Sequence, residues 1–400
     1  MSAPPENPEI RLLDGTFYLG QPLEHYRWLR RHAPVYWDPS GGLWAVSRHS
    51  DVMAVSKNPE VFCSRMSSRP DAPAIPSMIN LDDPQHRRRR NLVNKGFTPR
   101  RVDDHEPKIR AICRELIAAV AGKGRCDFVR EIAAPLPMIV IGDLLGVAPE
   151  DRGKLLRWSD DLIAGTDAAA PPEVKLRMMT AATEYVQYAQ RVIADRRSKP
   201  LQDDLMSVLV HAEIDGERLS DEDLIQESLL ILVGGDETTR HVITGGMLAL
   251  IQHPDARRAL AANRTAIPTA VEEMLRWVTP IKNMNRTATV DTELGDQKIR
   301  AGEKVLLLYE AANRDERVFA EPDRFDPTRT PNDHVAFGGY GAHFCLGAAL
   351  ARLELRVMFE ELLAGLPELA LEPASPPRWR PSNFIVGIEH MPVVFAPRSH

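Results

Sequence analysis

The stretch Phe337-Gly338-Gly339-Tyr340-Gly341-Ala342-His343-Phe344-Cys345-Leu346-Gly347 decides how the rest of the chain is read. Its clustered glycines exclude regular structure, so the backbone here turns tightly or lies close against another group. Directly after it, Ala348-Ala349-Leu350-Ala351-Arg352-Leu353-Glu354-Leu355 is a strong helix sequence. Cys345 therefore stands where a glycine loop runs into a helix N-terminus. Unpaired N–H groups and the positive end of the macrodipole favour a thiolate at such a place.

A cysteine beside a helix is most often a small buried hydrophobe. Its neighbours change that reading, because the segment resembles the haem-binding loop of the cytochrome P-450 superfamily, a phenylalanine and glycines leading into a cysteine followed by x-Gly. The resemblance implies haem b, with Cys345 as the thiolate ligand of the iron and His343 on a haem propionate. Phe337, Gly339 and Gly347 would complete the cofactor-binding loop. A thiolate is a soft, electron-donating ligand suited to O–O cleavage at haem. Phe337 stands eight residues before Cys345, where the commoner bacterial pattern has seven. Some actinobacterial sterol and branched-lipid hydroxylases share the longer loop.

No linker, charge block or repeat divides the 400 residues, so we expect one domain, 1–400, with residues 1–9 a disordered, proline-rich tail. An apolar content of 44% suffices for a large core, and 32 prolines punctuate many separate helices. A net charge of −6 argues against nucleic acid as partner. Four cysteines without C-x-x-C spacing indicate neither a zinc site nor a disulfide scaffold. The N-terminus carries no apolar signal, and no run approaches the ~20 residues of a membrane span. The expectation is a soluble, cytoplasmic protein without a membrane anchor.

Along the chain, Leu23–His32 reads as a helix, and 35–37 with 43–46 as a hairpin. Residues 64–80 form a long loop whose Ile75, Met78 and Ile79 face either a ligand or the core. A helix follows Asp82-Asp83-Pro84, with His86 and Arg90 on one face at i, i+4. In the resembling family these two positions bond haem propionates. The other arginines of Arg87–Arg90, with Lys95, Arg100 and Arg101, make a basic patch suited to an acidic electron donor. Helices are expected at 107–121, 128–147, 151–164 and 173–197. In the family the last two and their connection, 165–172, form a lid, with Leu162, Ile163, Met178 and Met179 as its apolar underside.

The longest helix is expected from Ser220, with a capping box to Asp223, to Gln252. Its middle, Leu229–Val233, is apolar all round and hence buried. Gly234-Gly235-Asp236-Glu237-Thr238-Thr239 then breaks every rule for a buried helix, which marks function. The run matches the family's Gly-Gly-x-acid-Thr oxygen-activation motif, with Thr238 as the hydroxyl and Glu237 as the proton relay. Glu273 and Arg276 match the family's structural Glu-x-x-Arg pair, and Arg324 fits its third place. Arg286 matches a propionate-binding arginine. Val233, Gly234, Val278, Ile281, Met284 and Ile385 would line the substrate pocket. Residues 384–386 and 392–395 read as strands.

The fold implied is mainly α, a cytochrome P-450 fold with a long central helix and a small β-rich region. The reaction implied is a monooxygenase's, inserting one atom of O2 into a C–H bond. No nicotinamide or flavin fingerprint is present, so electrons would come from a ferredoxin served by a ferredoxin reductase. A haem-thiolate sensor without turnover and a peroxygenase are alternatives, and keeping Glu237 and Thr238 argues against both. The runs Leu232–His241 and Glu273–Met284 look like actinobacterial sterol side-chain hydroxylases. They imply cholesterol or cholest-4-en-3-one oxidised at a terminal methyl to alcohol and acid, with branched fatty acids or terpenoids as the alternative.

Overall fold

The computed structural model describes residues 7–165, 170–214 and 216–397. The central helix, Asp221–Gln252, opens on the expected capping box: Ser220 Oγ accepts from the Asp223 N–H (3.1 Å), and the Asp223 carboxylate accepts from the Ser220 N–H (3.2 Å). At 1.5 Å per residue its 32 residues run roughly 48 Å. Helices Pro135–Leu144, Ile267–Val278 and Ala348–Gly365 pack around it, and their apolar faces join one core reaching from Met78 to Phe395. A second glycine pair permits a close crossing with Ile267–Val278. A Cβ on Gly245 would meet Val278 Cγ2 at 2.7 Å, and one on Gly246 would meet Met274 Sδ at 2.9 Å.

A five-stranded sheet lies beside this bundle in the order Val35–Asp38, Leu43–Val46, Lys304–Leu308, Asn283–Ala288, Phe62–Cys63. Only the second and third pair in parallel. Ile10 and Leu12 are buried against it, and the expected tail is ordered from residue 7: Tyr36 Oη donates to the Asn7 carbonyl (3.2 Å), and Glu9 pairs with His25 (3.1 Å). Residues 1–6 lie outside the described residues.

Several expectations need correction. The helix at 128–147 divides into a π turn, Val129–Ala133, and Pro135–Leu144. Pro135 and Pro137 lack N–H donors, and the Ala134 N–H reaches back five residues to Val129 instead. Residues 384–386 form no strand but a single isolated antiparallel bridge, Ile281 with Ile385, made by the Lys282 N–H to Phe384 O and Val386 N–H to Pro280 O bonds. The strands here are Ile388–His390 and Pro392–Val394. In the helix pair Arg152–Ala164 and Pro172–Arg197, Ile163 is buried, but Met179 points outward at 62% exposure. Of the connection between them, residues 166–169 lie outside the described residues.

Glu273 and Arg276 are wholly buried and paired twice, Nε–Oε2 and Nη2–Oε1 both at 2.7 Å. Their third partner is Arg329, whose Nε lies 3.1 Å from Glu273 Oε2, and not Arg324. Arg324 offers only its carbonyl to Arg276 (3.3 Å), which turns its side chain outward to Asp326 and Glu321. Removing one member of a buried pair strands the rest. Arg329→Ala should therefore cost about 3–5 kcal/mol in urea unfolding followed by circular dichroism. Arg324→Ala should stay within about 0.5 kcal/mol of wild type.

Candidate functional site

One cavity lies between the central helix and the loop of residues 337–347. Gly234, Gly235, Thr238 and Thr239 form one wall; Cys345, Leu346, Gly347, Leu350 and Ala351 face them. Its empty space, the open mouth included, is about 1440 Å³. Gly234 has no atom within 4 Å of where a Cβ would stand, so the helix backbone itself is open to the cavity. The helix runs unbroken through both glycines, and Thr238 Oγ1 donates to the Gly234 carbonyl (2.8 Å).

The loop is held in place from three sides. The Cys345 N–H donates to the Phe337 carbonyl (2.9 Å), and Gly338 takes a φ of +96° that favours glycine. Arg90 donates to the carbonyls of Ala342 (3.0 Å) and Phe344. Gly339 presses on Ser56, where a Cβ would come within 2.3 Å of Oγ, so it fastens the loop to helix His49–Lys57 and stands off the cavity wall. Arg352 stacks on the Phe337 ring at 4.6 Å while paired to Glu272.

Cys345 is exposed only in the sense that its surface belongs to the cavity wall; the thiol lies deep in the molecule. Burial pushes its pKa up, against the Gly347 N–H, Arg90 and Arg352, which act the other way. Desolvation outweighs the Gly347 N–H bond and the two arginines.

Basic groups collect on the same cavity wall. His86 and His343 have ring centroids 4.1 Å apart, and the Nε2 of each is buried without a protein partner among the described residues. Arg286 is buried and bonds to the Asn285 carbonyl (2.7 Å). Burial, Arg286, His86 and Arg90 together push the His343 pKa down to about 2. The two imidazoles are thus held neutral, while guanidinium groups kept from water without counter-ions are costly, and those of Arg286 and Arg90 invite an anion. The carboxylates of haem b, with Cys345 facing the same space, are such an anion and ligand set; the residues fit the group.

The remaining expected residues divide. Met78, Ile79, Ile281 and Met284 line the cavity with Gly234, Phe337 and Gly347. Ile75, Val233, Val278 and Ile385 stand off it: Ile75 is 47% exposed, Val278 packs on Gly245, and Ile385 bridges Ile281. Val233 stands off because the helix turns the next residue, Gly234, toward the cavity instead. Glu237 also stands off the wall. Its carboxylate meets Arg240, Arg380 Nη1 (3.2 Å) and His241 Nε2 (3.0 Å), and Arg240 reaches Asp160 (3.1 Å), whose side chain is 45% exposed. Leu230, Ile231, Thr239, Tyr309 and Glu354 line the cavity without having been expected there. Glu354 carried a legible signal, an acid within the apolar i, i+4 row of Leu350, Ala351 and Leu355.

The cytochrome P-450 family model matches residues 167–366. The chain is 50% identical over 391 residues to a "Steroid C26-monooxygenase" of Mycolicibacterium smegmatis, covering 98% of this chain and 97% of that one. It is 38% identical over 387 residues to a "Methyl-branched lipid omega-hydroxylase" of Mycobacterium bovis, covering 92% and 90%. The structure of a Mycobacterium marinum cytochrome P-450 in complex with pseudoionone superposes with a TM-score of 0.89, at 37% identity and 99% and 100% coverage.

If the basic groups hold the carboxylates of haem, Arg286→Leu should release it faster. Transfer to a haem-scavenging globin should speed up by about ten- to a hundredfold, the loss of one charge-assisted hydrogen bond. An unchanged transfer rate would exclude Arg286 from that role.

Proposed function

This chain belongs to the cytochrome P-450 family, a haem-thiolate monooxygenase family, and on that premise we propose that it hydroxylates the terminal methyl of a sterol side chain. Cholesterol and cholest-4-en-3-one are the proposed substrates, carried on to the acid in successive rounds. One observation carries this reading: the cavity facing Cys345 is walled by Met78, Ile79, Leu230, Ile231, Ile281 and Met284, in a chain half-identical to a steroid monooxygenase. Burying an eight-carbon side chain at ~0.8 kcal/mol per CH₂ supplies roughly 6 kcal/mol before ordering costs. No helix among the described residues is long and apolar enough to cross a membrane. We assign the donor as a ferredoxin with its reductase and place the system in the cytoplasm. The basic patch supports that donor in part: Arg87 and Arg88 are exposed, although Arg88, Lys95 and Arg101 already have acidic or carbonyl partners.

Haem b, when bound, supplies the activation of dioxygen and the C–H hydroxylation. In this reading Cys345 would hold the iron as a thiolate. His86, His343 and Arg286 take the propionates, and Arg90 keeps the loop in register through its two carbonyl bonds. The Thr238 hydroxyl, now donating to Gly234 O, is the proton donor at the cavity wall. Glu237 is the acid behind it. Arg240 and Arg380 hold its carboxylate on the protein side of the helix, and Asp160 links that group to the surface. A proton passed inward requires Glu237 to turn from Arg380 toward Thr238. The apolar wall keeps water from competing with substrate.

The substrate is tested by the low-to-high-spin shift of the haem. Cholest-4-en-3-one should shift it at micromolar concentration and yield the terminal alcohol or acid, while the same ring system without the side chain binds far more weakly. Equal binding of the truncated steroid, or ring hydroxylation, would overturn the orientation. Turnover of methyl-branched fatty acids in preference to sterol would favour the reading that the 38%-identical relative suggests. Turnover that needs reductant excludes the sensor and the peroxygenase together.

Thr238→Ala should leave the substrate-induced spin shift intact and divert most reducing equivalents to hydrogen peroxide. Product formed per NADH consumed is the measurement. Wild-type coupling in that variant would remove Thr238 from the proton path.

A further inference from the structure

Glu227 is a wholly buried acid that the mechanism above does not use. It lies on the central helix one turn before Leu230 and Ile231, which line the cavity. Its Oε1 accepts from the Met78 N–H at 2.8 Å and from Arg89 Nη1 at 3.2 Å; its Oε2 has no partner among the described residues. Arg89 also donates to the Pro76 carbonyl (3.2 Å) and to Asp223 (2.5 Å), one turn earlier on the same helix. Met78 and Ile79 stand on the cavity wall, in a loop whose regular structure is the single 3₁₀ turn Met78–Asn80. Asn80 ties that loop to Ser68 and Ile75, both within the same irregular stretch. Glu227 and Arg89 tie it to the bundle.

A leucine at 227 would serve the core at less cost than a carboxylate with one oxygen unpaired. Burial pushes the Glu227 pKa up to about 7, with Met78 N–H and Arg89 opposing and Asp223 adding to it, so the acid is held at a real expense. A buried group that breaks the packing rule while bonding a binding-site backbone points to position and not to stability.

We propose that Glu227 and Arg89 form a clamp that fixes where Met78 and Ile79 stand over the cavity, and thereby sets its fit to a long apolar substrate. Both are positioning residues; neither touches the cavity. The sterol arm of the test rests on the substrate proposed above, and the exchange arm does not.

In the holoenzyme, Glu227→Leu removes both bonds. Arg89 is not stranded, because it is partly exposed and keeps Asp223. Hydrogen exchange over residues 76–80 should speed up about tenfold, and cholest-4-en-3-one should bind about tenfold more weakly. Imidazole, which needs only the iron, should bind as in wild type, and the reduced carbonyl spectrum should not move. Glu227→Gln, which keeps an acceptor for Met78, should recover most of the protection. Should Glu227→Leu fail to load haem, Arg89→Gln tests the same clamp from its solvent side, with faster exchange expected. Wild-type exchange at 76–80 in every folded variant overturns the proposal, as does equal weakening of imidazole and sterol. Faster exchange in a protein whose wild type binds no sterol supports the clamp and counts against the substrate alone.

Discussion

Positive charge gathered around a buried cavity, with no acid bonded to most of it, is the constraint that the rest of the structure answers to. That charge is carried by Arg90 and Arg286, which form no ion pair among the described residues; the imidazoles of His343 and His86 beside them are held toward the neutral form, and His86 reaches only Asp83, at 3.4 Å. Burial costs the two guanidinium groups solvation that their carbonyl bonds return only in part, since no carboxylate meets them. The elements bearing these groups are therefore locked by contacts made elsewhere. Helix Gln85–Asn94 is locked through Arg89, the strand Asn283–Ala288 through its sheet neighbours, and the 337–347 loop through Ser56 and Arg352. The Glu273–Arg276–Arg329 cluster closes the frame, since Glu273 also bonds the Asp326 N–H (2.9 Å) and Asn332 (3.1 Å) ahead of the loop. An anion bound at the basic groups relieves the frame, so cofactor binding and folding are coupled.

What the sequence made legible follows from how local each signal was. The capping box at Ser220 needs only three residues of spacing, and the loop into the helix at Ala348 only glycines and a helical run. His86 and Arg90 follow from an i, i+4 relation on one helix. The misassignments lie where direction is set by distant partners. Arg324 and Arg329 are both arginines in the same irregular stretch. What separates them is that the carbonyl at 324, and not its side chain, faces Arg276. Val278 was apolar and near the right place, but Gly245 turns it into the helix crossing. Two glycine pairs on one helix look alike in sequence, and only packing shows that Gly245–Gly246 admits a neighbour while Gly234 admits a ligand.

The acids of the central helix show the same dependence on surroundings. Glu227, Asp236 and Glu237 are all fully buried on one helix, yet each meets a different environment. Glu237 meets two guanidinium groups, and these favour the anion. Asp236 forms no ion pair among the described residues, and burial raises its pKa to about 6 against the opposing Arg240 and Ser159. Glu354, on the cavity wall, is raised well above the usual range by burial and by Asp236. Two neighbouring acids thus meet opposite surroundings: Glu237 faces two guanidinium groups, while burial raises Asp236 one residue before it.

That difference bears on pH. Asp236 and Glu227, at about 6 and about 7, hold protons in the folded protein that the unfolded chain releases near its ordinary carboxylate range. Folding therefore loses stability as pH rises from that range through 7, the reverse of what an ion-paired carboxylate contributes. Glu272, which Arg352 and His334 hold down to about 2 although burial works against them, contributes stability that persists above the usual range. The first sign thus belongs to two buried acids of the central helix that stand behind the cavity wall, and the second to an acid beside the loop that carries Cys345.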